Sequence, residues 1–250
     1  LKMTDEVLKL DARNEAALLN RGMIFMIQAK YQEALEIAKE LLKINETTEK
    51  HGFMGNVLFQ LGKLPEAGEE FKKVIAQKPD NADARRKLAT IYMNVGDYDK
   101  SLAEYNEVLK LTPNDPEIIY EVGNIYLKKE IFEEALKKFN EAISLEPNNK
   151  NYRYGRGVTL LKMGDPDEAL REYGQALDLR EKDAMSDIDQ ILGSAIREYQ
   201  QTVKVNPNDP TAQADMGYVL ARSGKLNDAI KAYRKAIALD PTNADYHRDL

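Results

Sequence analysis

Five of the nine prolines in this chain recur at a fixed interval. Pro79, Pro113 and Pro147 lie 34 residues apart, and the same interval separates Pro207 from Pro241. A period of this length indicates a helix-turn-helix unit that is repeated along the chain. Each unit packs mainly on its neighbours, so the array forms an extended surface rather than one central core. The spacing therefore predicts an all-α fold of stacked helix pairs that acts by binding.

A common register becomes visible when the repeating proline is placed at position 32. Small residues occupy positions 8 and 20, which lie on the two helices of a pair, and we expect these positions to face each other where the helices cross. Large residues at positions 11 and 24 are expected to fill the core. Glycines at position 15 are expected to end the first helix in a left-handed conformation. In this register the six full repeats begin at Glu15, Thr48, Ala82, Pro116, Lys150 and Pro210.

These units resemble the tetratricopeptide repeat, whose signature combines a large residue, glycine and tyrosine with a later alanine, phenylalanine and proline. The fourth repeat carries this signature at Ile119, Val122, Gly123, Tyr126, Ala135, Phe139, Ala142 and Pro147. The resemblance covers nearly all of residues 15 to 243. Ala38 departs from it by replacing the aromatic residue of position 24, and Glu46 and Glu181 replace the proline. The resemblance implies a right-handed superhelical solenoid.

The register divides the chain into one continuous array of repeats. Both ends fall within a repeat, so we expect an excerpt from a longer array. The predicted segments are a partial unit 1–14, repeats 15–47, 48–81, 82–115, 116–149 and 150–181, a shortened irregular unit 182–209, a repeat 210–243 and a partial unit 244–250.

The irregular unit arises because Pro147 and Pro207 are 60 residues apart, where two periods would take 68. A full first helix does not fit in the space that remains. Ser186 followed by Asp189 resembles a capping box at a helix start. We therefore expect the chain to cross back within residues 180 to 191, as a short helical turn or a loop.

The resemblance also implies where a partner would bind, because first helices of this family contact ligands through positions 2, 5, 9 and 12. The candidates here come from positions 5, 9 and 12. Tyr120 and Tyr154 are expected to form one contiguous aromatic patch. The lysine and asparagine pattern that clamps the acidic ends of chaperones is not matched, since Gly52 and Tyr120 precede the asparagines of position 9. The predicted partner-binding residues are Leu19, Met23, Asn56, Phe59, Arg86, Thr90, Met93, Tyr120, Asn124, Leu127, Tyr154, Val158 and Tyr218.

Composition argues against several other functions. The chain has no cysteine and only two histidines, His51 and His247, which leaves little for a metal site or a histidine base. A net charge of -6 argues against a nucleic-acid partner. No apolar run is long enough for membrane insertion. We expect a cytoplasmic protein with no cofactor and no catalytic residues.

The predicted function is therefore a non-catalytic scaffold that holds a peptide or helix of a protein partner in its concave groove. Two alternatives remain open. The chain could be the recruiting domain of a larger enzyme, or a structural scaffold that self-associates through stacked array ends. The apolar residues Val7, Leu8 and Leu10 at one end, and Tyr246 and Leu250 at the other, motivate the second alternative.

Overall fold

The computed structural model of the protein describes residues 2–178 and 185–249, and these form helices and short connections without any β-strand. The all-α prediction is confirmed. The helices are α1 Lys2–Leu10, α2 Glu15–Ile27, α3 Tyr31–Ile44, α4 Thr48–Gln60, α5 Leu64–Gln77, α6 Ala82–Asn94, α7 Tyr98–Leu111, α8 Pro116–Lys128, α9 Phe132–Leu145, α10 Lys150–Met163, α11 Pro166–Asp178, α12 Met185–Val205, α13 Pro210–Arg222, α14 Leu226–Leu239 and α15 Ala244–Asp249.

The chain forms two compact units, Leu1–Asp115 and Pro116–Leu250. In both units, the two helices of a repeat are the main packing partners, as in the pairs α4–α5 and α10–α11. The core of the first unit is built around side chains such as Leu41, Val57 and Phe71. The core of the second contains Tyr173, Tyr199 and Tyr233. Each unit therefore buries its own apolar side chains between stacked helix pairs.

The first helices begin at the residues to which the repeat register gives position 1. The residue before several of them caps the helix with a side-chain oxygen. Asn81 accepts a hydrogen bond from the Ala84 backbone N–H at 2.9 Å, and Asn14 accepts one from Ala17 at 3.0 Å. Such caps satisfy backbone donors that have no partner within the helix. Local sequence therefore fixes where each of these helices starts.

The turn between the helices of a repeat uses the left-handed conformation at position 15. Gly62, Gly96 and Gly164 have φ values of 71°, 81° and 85°, and Gly224 has 78°. Two repeats have the same conformation without glycine, at Ala29 with φ 56° and at Glu130 with φ 59°. A side chain is strained in this region, because its Cβ approaches the following carbonyl oxygen.

Position 8 lies against the aromatic ring of position 24 in the same repeat. A Cβ atom built on the glycine of position 8 would lie 2.9 Å from Phe71, 2.8 Å from Phe139, 2.7 Å from Tyr173 and 3.0 Å from Tyr233 in four of the repeats. Positions 8 and 20 also meet, since the Ser101 hydroxyl donates to the Ala89 carbonyl oxygen at 2.8 Å. Glycine at position 8 therefore leaves space for the aromatic ring of position 24 and also allows the two helices to cross closely.

The first repeat lacks this ring because Ala38 occupies position 24. An aromatic ring of the following repeat takes its place. A Cβ atom on Gly22 would lie 2.6 Å from the Phe53 ring, which belongs to α4. Phe53 is buried in the core of the first unit. A ring from the neighbouring helix thus fills the space above Gly22.

Two of the periodic prolines accept hydrogen bonds from arginines through their carbonyl oxygens. Arg85 donates to Pro79 at 2.8 Å, and Arg153 donates to Pro147 at 3.3 Å. In both cases the donor is at position 4 of the next repeat. The same arginines reach the second helix of their own repeat, as in the ion pair between Arg85 and Glu104 at 2.6 Å. These two arginines therefore tie the connection before their repeat to the helix pair that follows it.

The irregular unit contains one long helix. Helix α12 spans Met185–Val205, a length of 21 residues, and packs on α13. Of the stretch 180–191 in which the sequence predicts the crossing, residues 185–191 belong to this helix, and residues 180–184 lie outside the described residues. Tyr199 of α12 is fully buried and meets Tyr173 edge-on, with the ring centroids 6.2 Å apart.

Candidate functional site

The predicted partner-binding residues lie on first helices and keep accessible surface. All thirteen are half-buried except Met23, whose exposed fraction is 51%. By contrast, every residue at position 24 is buried. Seven of the thirteen belong to the first unit and six to the second.

In the first unit, three of the predicted residues line one cavity of about 300 Å³. Leu19 and Met23 come from α2, and Asn56 comes from α4. Gly52 and Phe53 also line this cavity. In the sequence, Gly52 marks only the absence of the clamp lysine at position 5, and the space that this glycine leaves open is visible only in the structure.

Two other predicted residues of the first unit have partners within the protein. The Arg86 guanidinium donates to the Asp115 carboxylate at 2.9 Å. The Thr90 hydroxyl donates to the Arg86 carbonyl oxygen at 3.0 Å and lies 3.0 Å from the Tyr105 hydroxyl. The contact between Thr90 and Tyr105 joins α6 to α7, and the Arg86–Asp115 pair joins α6 to the connection that follows α7. Arg86 and Thr90 therefore have a structural role on the predicted face.

The apolar residues of the face differ in their surroundings. Phe59 is half-buried and packs against the core of the first unit. Met93 and, in the second unit, Leu127 are also half-buried. Because part of each side chain stays accessible, these residues can contribute apolar contact area to a bound partner.

In the second unit, Tyr120 is a half-buried residue within an aromatic group. Its ring centroid is 5.0 Å from that of Tyr152 and 5.7 Å from that of Phe139. Burial raises the pKa of the Tyr120 hydroxyl, and a hydrogen bond with Asn124 opposes this effect. The Asn124 amide also donates to Glu121 at 3.4 Å. Tyr120 and Asn124 thus form one polar and aromatic site on α8.

Glu121 belongs to the same site although the sequence analysis did not select it as a contact residue. Burial raises the pKa of its carboxyl group, with a smaller contribution from the charge of Glu117. The bond from Asn124 opposes this rise, because it stabilises the charged carboxylate. The sequence signal that could have identified Glu121 as part of the site is its place directly after the aromatic residue of position 5.

Tyr154 contacts both the core of the second unit and helix α12. Its ring lies 5.5 Å from that of Tyr173, and its hydroxyl is hydrogen-bonded to Ser194 of α12. Burial raises the pKa of this hydroxyl. The neighbouring ion pair between Lys162 and Glu198, at 2.9 Å, also joins α10 to α12. Part of the Tyr154 surface is therefore used within the protein, a contact that depends on the irregular unit.

The remaining two predicted residues pack beside the same core. Val158 and Tyr218 are half-buried against the side chains of the second unit. The Arg222 guanidinium carbon lies 6.0 Å from the centre of the Tyr218 ring, within the range of a cation–π contact. The face of the Tyr218 ring therefore lies next to a positive charge.

A buried polar cluster in the second repeat was not predicted. Lys50 has an exposed fraction of 5% and pairs with Glu15 at 2.8 Å and with the Asn45 side chain at 2.5 Å. His51 is buried beside it, with its Nδ1 atom 2.6 Å from Glu70. Position 3 holds alanine in other repeats, as at Ala17 and Ala84, but lysine in this one. This exchange is the sequence signal that indicates the buried polar cluster. The cluster links α2, α4 and α5 and therefore has a structural role.

No group of side chains that could hold a metal ion occurs within residues 2–178 and 185–249. Over the same part of the chain, every helix is either too short or too polar to span a membrane.

Comparisons with known proteins give a consistent family result. Models described as tetratricopeptide repeat match residues 58–119 and 151–183, and a model described as TPR repeat matches residues 123–164 and 217–250. No significant match was found among curated protein sequences.

Solved structures with the same fold include two forms of MamA. One is MamA 41-end from Desulfovibrio magneticus RS-1, with a TM-score of 0.63 and 22% identity, covering 66% of this chain and 94% of that one. An RS-1 double mutant of MamA has the same TM-score and identity, covering 66% and 93%. The C-terminal part of a TPR repeat-containing protein from Cytophaga hutchinsonii has a TM-score of 0.67 and 16% identity, covering 100% and 92%. These similarities support the fold alone.

Proposed function

Because the chain belongs to the tetratricopeptide repeat family, we propose that it binds a segment of a protein partner along its first helices and catalyses no reaction. A general role as a protein-interaction scaffold follows from the family. The position of the bound segment and its form, an extended peptide or a helix, are the proposal.

The observation that carries the proposal is the partial exposure of the predicted contact residues. They combine methionine, tyrosine and asparagine side chains on first helices. The residue at position 24 of each repeat is instead buried in the core. Tyrosine offers a large contact area for little loss of conformational entropy, and methionine adapts to different ligands. Such a surface suits a peptide better than a small polar molecule.

Hydrogen bonds within the protein show which side chains of this face remain available for a partner. Arg86, Thr90 and Tyr154 already form hydrogen bonds with residues outside their own helix. The hydrogen bonds of Tyr120 and Asn124 stay within α8. Met23 and Asn56 have no side-chain hydrogen bond or ion pair with the described part of the protein. We therefore assign the main contacts in the first unit to Leu19, Met23 and Asn56, and those in the second to Tyr120 and Asn124.

Photocrosslinking tests this assignment. A photoreactive phenylalanine derivative placed at Met23, which is exposed on α2, should capture the partner upon irradiation. The matched control places the same group at Glu66, which is exposed on the second helix α5. Capture at Met23 and not at Glu66 supports the proposal. Equal capture at both positions, or capture at Glu66 alone, would contradict it.

A binding measurement gives an independent check in the second unit. Asn124→Ala removes the hydrogen bond to Tyr120 and should weaken partner binding about tenfold, as expected for a central polar contact. Unchanged affinity would exclude the Tyr120 site. Crosslinks between two copies of the chain, without any other protein, would instead favour self-association.

A further inference from the structure

A cavity of the first unit lies beside Gly52. Its volume of about 300 Å³ is at the lower end of small-ligand pockets. Leu19, Phe53, Phe71 and Val74 supply apolar lining, and Met23 lies beside them. A space of this size and character suits one large apolar side chain.

Gly52 keeps this space open. A Cβ atom built at Gly52 would have only the Val74 Cγ2 atom within contact distance, at 3.9 Å. The other glycine of the same helix is enclosed, because a Cβ on Gly55 would lie 2.9 Å from the Phe71 ring. The protein therefore fills the space beside Gly55 with its own ring and leaves the space beside Gly52 open.

The polar residues around the cavity define the chemistry of its occupant. The Asn56 amide has no hydrogen-bond partner among the described residues and can both donate to and accept from a peptide backbone. Glu49 and Lys78 are exposed at the cavity, and neither forms an ion pair in the described part of the chain. The third charged residue, Asp83, already pairs with Lys87 at 3.5 Å. One carboxylate and one ammonium group thus remain for a ligand.

We propose that this cavity receives a large apolar side chain of a bound peptide, in a segment where that residue lies between a basic and an acidic neighbour. The basic neighbour complements Glu49, the acidic neighbour complements Lys78, and Asn56 bonds the peptide backbone. This inference rests on the proposed function and specifies the sequence that the first unit selects.

Blocked tripeptides provide the test. Amide chemical shifts of the ¹⁵N-labelled chain are followed by NMR during titration with acetyl-Lys-Leu-Glu-amide and with the reversed order, acetyl-Glu-Leu-Lys-amide. We expect one of them to bind in the millimolar range and to shift the Gly52, Asn56 and Ala84 signals. Replacing the central Leu by Ala should weaken binding about tenfold, because most of the apolar contact is lost. Acetyl-Glu-Leu-Glu-amide should bind more weakly than the best peptide.

Variants of the protein locate the binding. Gly52→Leu should fill the cavity and abolish the shifts, and helix propensity favours folding of this variant. Glu49→Gln should reduce the preference for the basic neighbour. The control Glu66→Gln, on the exposed face of α5, should leave binding unchanged.

Three results would overturn the proposal: no binding of either tripeptide, binding that Gly52→Leu does not affect, or shifts that depend only on protein concentration. The last result would identify a second copy of the chain as the occupant. Failure here can be distinguished from failure of the proposed function, because a partner that crosslinks at Met23 and still binds the Gly52→Leu variant would retain the scaffold role.

Discussion

Two glycines of helix α4, one turn apart, should respond in opposite ways to the same substitution. Gly52 and Gly55 are both within the helix, so replacing either with alanine removes the same entropic cost of an internal glycine. That gain is about 1 kcal/mol in unfolding free energy. The surroundings of the new methyl group then decide the sign of the total effect.

At Gly52 the methyl group has room, since the nearest atom outside the helix is 3.9 Å away. Gly52→Ala should therefore stabilise the protein by about 1 kcal/mol. At Gly55 the methyl group would lie 2.9 Å, 3.0 Å and 3.2 Å from three carbons of the Phe71 ring. Phe71 has an exposed fraction of 1%, so its ring has nowhere to move. Overpacking of this kind costs about 1 to 3 kcal/mol.

Gly55→Ala should consequently destabilise the protein by up to about 2 kcal/mol, and the two variants should differ by about 1 to 3 kcal/mol. Urea denaturation followed by circular dichroism measures both values. Hydrogen exchange of the α4 and α5 amides checks that the loss is local to this repeat. A coupling between Gly55→Ala and Phe71→Leu in a double-mutant cycle would identify the ring as the cause. Equal effects of the two alanine variants would refute the reasoning.

Three further predictions concern the turns and the tyrosines. Ala29→Gly and Glu130→Gly should each raise the unfolding free energy by about 1 kcal/mol, because both residues adopt a left-handed conformation. Gly62→Ala should lower the unfolding free energy by a similar amount, and urea denaturation measures all three variants. Burial raises the pKa of Tyr173, so its contribution to stability is present below about pH 10 and is lost as the pH rises further. Tyr173→Phe should make alkaline unfolding less steep in a pH titration, and an unchanged profile would contradict this. Tyr120→Ala should lower the melting temperature more than Tyr120→Phe, since only the alanine variant loses the ring contacts with the core; equal melting temperatures would show that these contacts contribute little.

The repeat architecture could be predicted from the sequence because its signals are local. A helix start depends on a capping residue and the first turn, and the first helices begin at the register positions assigned to them. The glycines of position 15 end first helices for a similarly local reason, their tolerance of a positive φ. The family likeness depends on the same short-range pattern.

The candidate site was predictable only in part. Periodicity indicates which helix face a residue occupies, and it placed Met23, Asn56 and Tyr120 on accessible surface. It does not indicate which side chain from another helix or connection will meet that face. The contacts of Arg86 with Asp115 and of Tyr154 with Ser194 depend on such neighbours.

The sequence by itself determined the helical repeat and its register, since both depend on interactions within a few residues along the chain. The tertiary structure decided how space is filled between helices. Phe53 takes the place of the ring that Ala38 lacks, Phe71 encloses Gly55, and the space beside Gly52 stays open. Filling such spaces depends on side chains that are distant in sequence and must fit together in volume, a property that no local pattern encodes.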